Sequence, residues 1–330
     1  MVRVGLLSWW HVHAKDYAGD ADAHSGTQLV ATWDEDAERG QQEAQKRGLR
    51  WYGSYAELLN APDIDAVIVT TPTNMHREVM LAAAQAGKHI YTEKVLAATM
   101  KDVDDIIDAT IAHNVKLMVS LPRLYTNYLH MIQQVIAEGA LGKLTYARVR
   151  HTHDGSLRTT AHPEGWLPQR FYDPIEAQGG ALIDLGCHPV YLLHALLGAP
   201  ISVSATVGHV NGRAVEDNAA VLLTYGGGTI GVGETSLTNL GTFSIEVHGT
   251  HGSARFAEPE TVVWVRTRDQ REWQARELPT TNPPSAFEQW ITHITQGTVA
   301  NENIMAARAL TQVMEAAYQA AGAGRSVTFR

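Results

Sequence analysis

Two side chains that can exchange protons lie four residues apart in the glycine-rich stretch from Gly179 to Tyr191. They are Asp184 and His188, and on a continuous helix residues at this spacing share one face. A carboxylate beside an imidazole can orient the ring and hold a proton near neutral pH. A surface or core ion pair would have the same spacing, so the pair alone leaves both interpretations open. The glycines around it would let backbone or ligand come close.

A second polar stretch, Thr92-Glu93-Lys94, follows a short apolar run in the first half of the chain. We therefore interpret the protein as an enzyme whose site forms where these two stretches meet.

The elements that would position these residues follow two patterns. Up to about residue 120, short apolar strands alternate with helices, which predicts a doubly wound parallel sheet with helices on both faces. The predicted strands are 3–7, 28–33, 66–70, 89–91 and 115–120, and the predicted helices are 36–47, 76–86 and 100–113.

After residue 120 the pattern changes to a helix at 127–138, a strand at 144–151 and a run of strands and turns from 201 to 277. This order predicts an α+β domain with a mostly antiparallel sheet, closed by helices near 285–296 and 302–321 and a strand at 326–329. We predict two domains, residues 1–120 and 121–330. Because Pro189 is unfavourable inside a helix, either the helix around His188 kinks there or it starts near His188 with Pro189 in its first turn.

Composition excludes several classes of protein. With 45% hydrophobic and 18% charged residues, the 330-residue chain should fold without long disordered regions. A net charge of -9 argues against a nucleic-acid surface. The single cysteine, Cys187, permits neither an intramolecular disulfide framework nor a cysteine zinc cluster. No apolar run is long enough to span a membrane, and the chain starts directly with a strand pattern, so we expect a cytoplasmic protein.

The first predicted strand, turn and helix lie where a dinucleotide usually binds in such a sheet. The usual turn is G-x-G-x-x-G, but the six positions here are Ser8, Trp9, Trp10, His11, Val12 and His13. The tryptophans could be core residues or a stacking surface for a ring. The histidines could chelate a metal if they lay on a strand, but helix capping or contact with phosphate or substrate is the preferred interpretation, and we predict no metal.

Asp34 ends the second predicted strand, 26 residues after Ser8. An acidic residue near this offset binds the adenine ribose hydroxyls in dinucleotide-binding folds. A carboxylate there would repel a 2′-phosphate, so the position favours NAD over NADP as the cofactor. The alternative is that Asp34 caps the following helix.

Several motifs, taken together, resemble the Gfo/Idh/MocA oxidoreductases, the glucose–fructose oxidoreductase and inositol dehydrogenase family. The motifs are the N-terminal nucleotide-binding pattern, Thr70-Thr71-Pro72-Thr73-Asn74-Met75-His76, Ala86-Gly87-Lys88-His89, Glu93-Lys94 and Gly180-Ala181-Leu182-Ile183-Asp184-Leu185-Gly186-Cys187-His188. The resemblance implies a Rossmann domain followed by an α+β domain with an open antiparallel sheet.

The resemblance also implies roles for individual residues. Lys94, in a motif that reads Glu-Lys-Val where the family has Glu-Lys-Pro, would lie near the nicotinamide, and Asp184 and His188 match the other two catalytic positions. Many relatives carry an acid three residues after that histidine, where this chain has Tyr191. The positions that would line the cofactor are Asp34, Thr71, Pro72, Asn74, His76 and Glu93.

The implied reaction moves a hydride between a sugar, inositol or polyol carbon and NAD. In this hypothesis His188 acts as the base, Asp184 orients it, and Lys94 stabilises the substrate oxygen. The second domain would supply further substrate contacts, for which the candidates are Arg123, His151, His153, Asp154, His162, Trp166 and Arg170. The predicted partners are a small sugar or polyol and further copies of the chain in a homodimer or homotetramer, with neither nucleic acid nor membrane.

Three other functions remain open from the sequence. Transient oxidation by NAD could drive cleavage of a glycoside. A metal-dependent sugar isomerase or lyase could use the His11/His13 or His151/His153/Asp154 groups. A non-catalytic sugar-binding protein could have kept the same fold.

Overall fold

A computed structural model describes residues 1–329, and its contacts divide the chain into two units. One unit comprises Met1–Ser120 and Pro284–Thr311, and the other comprises Leu121–Pro283 and the segment that starts at Gln312. The sequence-based division placed residues 284–311 in the second domain, whereas in the structure they belong to the first unit. Residue 330, the last of the predicted second domain, lies outside the described residues.

The first unit contains a six-stranded parallel sheet with the strand order β3-β2-β1-β4-β5-β6. Its strands are β1 (Val2–Leu7), β2 (Thr27–Trp33), β3 (Arg50–Trp51), β4 (Ala66–Val69), β5 (His89–Thr92) and β6 (Leu117–Val119). The helices between them are α1 (Ala14–Ala23), α2 (Ala37–Arg47), α3 (Tyr55–Leu59), α4 (His76–Gln85) and α5 (Met100–Ala112). The strand order reverses between β1 and β4, which opens a crevice at their carboxyl ends. The predicted doubly wound sheet is confirmed, and β3 and α3 are additional elements.

The second unit contains a nine-stranded sheet with the order β14-β13-β12-β11-β7-β10-β9-β8-β15. The elements of this part of the chain are α6 (Asn127–Ala137), β7 (Leu144–Thr152), α7 (Ala181–Asp184), α8 (Cys187–Leu197), β8 (Ser202–Gly208), β9 (Asn218–Thr224), β10 (Ile230–Ser236), β11 (Ser244–Gly249), β12 (Gly252–Ala257), β13 (Val262–Thr267) and β14 (Gln274–Glu277). The chain ends with α9 (Ala286–Gln296), α10 (Asn301–Ala323) and β15 (Val327–Thr328). Only the β7–β10 pair is parallel among the described strands of this sheet, so the predicted mostly antiparallel α+β fold is confirmed.

The helix that was predicted through Asp184 and His188 is interrupted. α7 ends at Asp184 and α8 begins at Cys187, so the two residues lie on different helices. Pro189 is the third residue of α8, where its missing N–H leaves no hydrogen bond unmade. The alternative with Pro189 in the first turn is therefore confirmed, and the alternative in which the helix kinks at Pro189 is wrong.

Helix α2 lies close to the sheet because Gly40 has no side chain. A Cβ atom at this position would be 2.2 Å from the Trp51 ring and 2.6 Å from Cβ of Asp34. Gly19 in α1, by contrast, has nothing within 4 Å of its Cβ position. The two glycines therefore differ in their packing although both lie inside helices of the same unit.

We expect Gly40→Ala to lower the free energy of unfolding by about 1–3 kcal/mol, because the added methyl group overpacks the contact with Trp51. Gly19→Ala is the matched control and should raise stability by about 1 kcal/mol through helix propensity. Urea denaturation of both variants measures the difference. If Gly40→Ala were as stable as the unmodified protein, α2 would be able to move away from Trp51 without an energetic cost.

Candidate active site

The turn after β1 keeps a glycine-type conformation although it contains no glycine. Ser8 has φ of 79°, in the left-handed region that other residues rarely adopt, and it is fully buried. Its hydroxyl accepts a hydrogen bond from the backbone N–H of Trp10 at 2.9 Å. The Ser8 hydroxyl thus binds a backbone N–H group of the kind that a dinucleotide-binding turn usually donates to phosphate.

Asp34 binds donors of its own chain through both carboxylate oxygens. The backbone N–H groups of Trp9 and Asp36 each donate to it at 2.7 Å. Arg39 donates twice, from Nε at 2.9 Å and from a terminal nitrogen at 2.6 Å. The cap of α2 is Asp36, whose carboxylate accepts from Glu38 and Arg39, so the capping alternative for Asp34 is wrong.

The two tryptophans of the turn are buried, each with 3% of its surface exposed. Nε1 of Trp9 donates to the hydroxyl of Thr32 at 2.9 Å, and the Arg47 guanidinium lies 5.1 Å from the Trp9 ring. These contacts favour the core interpretation of Trp9. Val12, two residues after Trp10, is exposed.

Glu93 is a buried carboxylate at the end of β5. The Tyr17 hydroxyl donates to its Oε2, and Nδ1 of His11 lies 3.4 Å from the same oxygen. Burial opposes its ionisation, but the charges of His11, His13 and Lys94 outweigh this effect and lower the pKa of Glu93. Burial and the neighbouring Glu93 raise the pKa of Tyr17 well above its ordinary value. The group therefore holds one carboxylate anion and one neutral phenol.

His13 is more exposed than His11, and the two rings stack with their centroids 5.0 Å apart. The backbone N–H of His13 donates to Nδ1 of His11 at 3.2 Å, and its own ring lies 3.1 Å from Asp16. Among residues 1–329, His, Cys, Asp and Glu side chains form no group of three or more that could hold a metal ion.

The segment after β4 carries four of the residues predicted to contact the cofactor. Oγ1 of Thr71 is buried and has no hydrogen-bond partner within residues 1–329. Pro72 is buried and Asn74 is exposed in the following turn. His76 is buried, with Nδ1 3.0 Å and 3.2 Å from the carbonyl oxygens of Val95 and Leu96 and Nε2 3.2 Å from that of Thr71. Its ring thus joins the ends of β4 and β5.

Lys94 directly follows Glu93 and is buried, with 6% of its surface exposed. Its backbone N–H donates to Oε1 of Glu93 at 3.0 Å, and the peptide bond to Val95 is cis. The side-chain contacts of His76 and Glu93 therefore fix the backbone on both sides of the lysine.

In the second unit, Glu216 fixes the start of α7. Its Oε1 accepts from the backbone N–H groups of Gly180 and Leu182 at 3.1 Å and 2.9 Å, and from the Tyr318 hydroxyl at 2.8 Å. A Cβ atom on Gly180 would be 2.1 Å from the carbonyl oxygen of Glu216, so this close approach requires glycine. Asp184, at the other end of α7, is half-buried, and its carbonyl accepts from the thiol of Cys187 at 3.1 Å.

His188 lies in the first turn of α8 with 6% of its surface exposed. Its Nδ1 is 2.7 Å from the hydroxyl of Tyr191. The ring of His151, on β7, meets the His188 ring edge-on with centroids 4.9 Å apart. A terminal nitrogen of Arg123 lies 3.1 Å from Nε2 of His151. The structure thus brings together three of the predicted residues and adds Tyr191, whose role the sequence analysis missed.

The remaining substrate candidates belong to the same unit. Rings of His153 and Trp166 are 4.8 Å apart, and Nε1 of Trp166 donates to Asp154 at 2.8 Å. His162 is exposed, and the guanidinium of Arg170 lies 6.0 Å from the ring of Phe171. The indole of Trp166 is 44% exposed, and an exposed indole can stack on the face of a sugar.

The first unit fits a bound NAD at its sheet edge. The strand order and the unsatisfied Thr71 hydroxyl fit a dinucleotide, whereas Asp34, the acidic residue after β2, already accepts four hydrogen bonds from its own chain. The phosphate turn differs, because Asp34 and Ser8 already accept the amides of Trp9 and Trp10. The pyrophosphate would therefore receive fewer backbone N–H groups here than in a glycine-rich turn.

In residues 1–329, no helix combines the length and apolar character needed to cross a membrane.

Comparisons with known proteins agree with this architecture. Residues 7–121 match the model described as oxidoreductase family, NAD-binding Rossmann fold, and residues 129–255 match the GFO/IDH/MocA C-terminal domain. The chain is 31% identical to 1,5-anhydro-D-fructose reductase of Ensifer adhaerens over 258 residues, which cover 77% of this chain and 75% of the relative. It is 28% identical to myo-inositol 2-dehydrogenase of Thermotoga maritima, over 76% of this chain and 74% of that protein.

Among solved structures, levoglucosan dehydrogenase in complex with NADH and L-sorbose has the same fold. The TM-score is 0.84 at 21% identity, and the match covers 100% of this chain and 99% of that one. The two family models and the anhydrofructose reductase relationship together establish that the chain belongs to the Gfo/Idh/MocA family of NAD-binding oxidoreductases and is an enzyme of the dehydrogenase and reductase class.

Proposed function

We propose that this enzyme transfers a hydride between NAD and a carbinol carbon of a sugar, inositol or related polyol. The relatives named for 1,5-anhydro-D-fructose and myo-inositol support this class of substrate. The observation that carries the proposal is the buried imidazole of His188, held through Nδ1 by a hydroxyl in the glycine-rich segment. A ring held in this way can exchange a proton through its second nitrogen.

His188 would take the proton from the substrate hydroxyl during oxidation and return it during reduction. Lys94 would stabilise the negative charge on the same oxygen, since an ammonium group favours a developing alkoxide. Asp184 would support the charge that His188 gains. Arg123, His153 and Trp166 would contact other hydroxyls and the face of the sugar.

NAD supplies the acceptor or donor of the hydride when it is bound. Asp34 would meet the adenine ribose, residues Ser8 to Val12 would lie along the pyrophosphate, and Thr71, Pro72, Asn74, His76 and Glu93 would line the rest of the site. His76 would act mainly by holding the backbone that carries Lys94, because its ring nitrogens face the carbonyl oxygens of Val95, Leu96 and Thr71.

We retain residues 1–120 as the core of the cofactor domain and propose that the second unit, Leu121–Pro283 with the segment that starts at Gln312, supplies the substrate and oligomer contacts. A homodimer or homotetramer and a cytoplasmic location remain predictions.

The first prediction concerns the proton-transfer residues. Lys94→Ala and His188→Ala should each lower kcat/KM by at least about 100-fold, because each removes a group that acts on the reacting oxygen. The assay follows NADH formation with myo-inositol, levoglucosan and a panel of related sugars, using the substrate that the unmodified enzyme turns over fastest. Lys101→Ala and His130→Ala, at exposed positions of the same units, are matched controls and should keep normal activity. Near-normal turnover in either active-site variant, with folding intact, would reject the assignment.

A second prediction concerns pH and His76. Burial lowers the pKa of His76, so below the ordinary histidine pKa of about 6.5 the unfolded chain binds a proton that the folded chain does not. The contribution of the neutral His76 ring to the free energy of unfolding is fully present above the ordinary histidine pKa of about 6.5. It is lost as the pH falls toward the lower pKa that His76 has in the folded protein. His76→Gln should cost about 1–3 kcal/mol at pH 7.5 through lost buried hydrogen bonds. Between pH 7.5 and pH 5.5, the free energy of unfolding measured in urea titrations should fall less in His76→Gln than in the unmodified protein. Identical pH slopes would contradict this role of His76.

A third prediction concerns the ribose site. Arg39 neutralises Asp34 and also lies 2.6 Å from Glu35. In Arg39→Ala, a 2′-phosphate would meet two uncompensated carboxylates, so NADPH should bind about tenfold more weakly while NADH binding is kept. Titration of nicotinamide fluorescence measures both dissociation constants, with Arg50→Ala at the exposed Asp63 pair as control. An equal loss of affinity for NADPH and NADH would show that Asp34 only holds the turn after β1 and does not discriminate between the two nucleotides.

A further inference from the structure

The hydroxyl of Tyr191 lies where it can orient the imidazole of His188. Tyr191 follows His188 by one helical turn in α8, and only 1% of its surface is exposed. Its oxygen is 2.7 Å from Nδ1 of His188, and the backbone N–H of Arg123 donates to the same oxygen at 3.2 Å. The hydroxyl is therefore held from two sides, by its own helix and by the segment before α6.

We propose that Tyr191 is a positioning residue for proton transfer, whose hydroxyl holds Nδ1 of His188 so that Nε2 exchanges the proton with the substrate. This inference rests on the proposed function, in which His188 is the acid–base group. It assigns a role to a position where the family resemblance implied an acid in many relatives.

A phenol can serve both protonation states of the ring. Burial, followed by the neighbouring Cys187, raises the pKa of Tyr191 well above its ordinary value, so the hydroxyl keeps its proton. Its oxygen has two acceptor sites, one of which takes the Arg123 N–H. The neutral ring that acts as the base carries its single proton on Nδ1, so the second acceptor site of the Tyr191 oxygen takes Nδ1–H both before and after Nε2 is protonated.

The proton balance follows from this arrangement. During oxidation the substrate O–H bond breaks and an Nε2–H bond forms, which converts His188 to imidazolium. Nδ1–H then donates to the Tyr191 oxygen, and Tyr191 itself neither gains nor loses a proton. Reduction follows the same steps in reverse, with Nε2–H as the acid.

The groups around His188 come from each element packed against α8. His151 approaches from β7 and Arg123 from the segment before α6, and the preceding helix α7 ends at Asp184. Strand β10 meets the helix through Gly231 and Gly233, whose Cβ positions face Leu193 and Pro189. Arg123 is itself bound to Glu258 at 2.7 Å, so its charge is compensated by a carboxylate.

The test uses Tyr191→Phe, which removes one oxygen atom, with Tyr172→Phe as the matched control. The Tyr172 hydroxyl is also buried but lies 2.7 Å from Ser156 instead of a histidine. Histidine ¹⁵N chemical shifts in the intact protein report which ring nitrogen carries the proton, and His188→Ala identifies the His188 signals. We expect these signals to shift in Tyr191→Phe and to stay unchanged in Tyr172→Phe.

Kinetics with the fastest sugar of the panel provide the second measurement. Tyr191→Phe should lower kcat by about 10–100-fold, because a misoriented base acts poorly, and should leave the NADH dissociation constant unchanged. Unchanged ¹⁵N signals, or normal kcat in Tyr191→Phe while His188→Ala is inactive, would overturn the inference and leave the proposed function intact. Normal turnover in His188→Ala would overturn the proposed function, and the inference with it.

Discussion

A buried carboxylate must find donors for its oxygen atoms, and this requirement fixes three turns of the protein. Asp34 accepts hydrogen bonds from the backbone N–H groups of Trp9 and Asp36, and Glu93 accepts them from the Tyr17 hydroxyl and the backbone N–H of Lys94. In the other unit, Glu216 accepts hydrogen bonds from two backbone N–H groups at the start of α7. Each carboxylate therefore sets the backbone next to a residue that the proposed reaction uses, and removing one would leave buried donors unpaired.

The same requirement explains how the first turn manages without glycine. A glycine-rich turn leaves its amides for phosphate, whereas here side chains of the turn and of β2 accept them. Ser8 keeps the left-handed backbone at a conformational cost, which its bond with the Trp10 N–H offsets. These amides are thus satisfied within the chain, and we expect cofactor affinity to depend more on the ends of β2, β4 and β5.

Apolar runs and helix periodicity predicted both sheets, because burial alone determines those patterns. Two features could not be found in this way. The two-residue strand β3 is too short for a pattern and forms only because β2 offers it an edge. The pairing of Tyr191 with His188 depends on where α8 begins, and the sequence left that start open between two alternatives at Pro189. The roles of Asp34 and Trp9 also depended on partners that are distant in sequence.

The choice of a phenol beside His188 follows from the charges already buried there. Arg123 has its carboxylate partner in Glu258, and its guanidinium lies 3.8 Å from the ring of Phe243. A carboxylate at position 191 would add a buried charge that has no cation of its own while His188 is neutral, and desolvating such a charge costs several kcal/mol. A hydroxyl binds the imidazole at 2.7 Å without adding charge. In the proposed reaction the ring can then be held firmly while it gains and loses its proton.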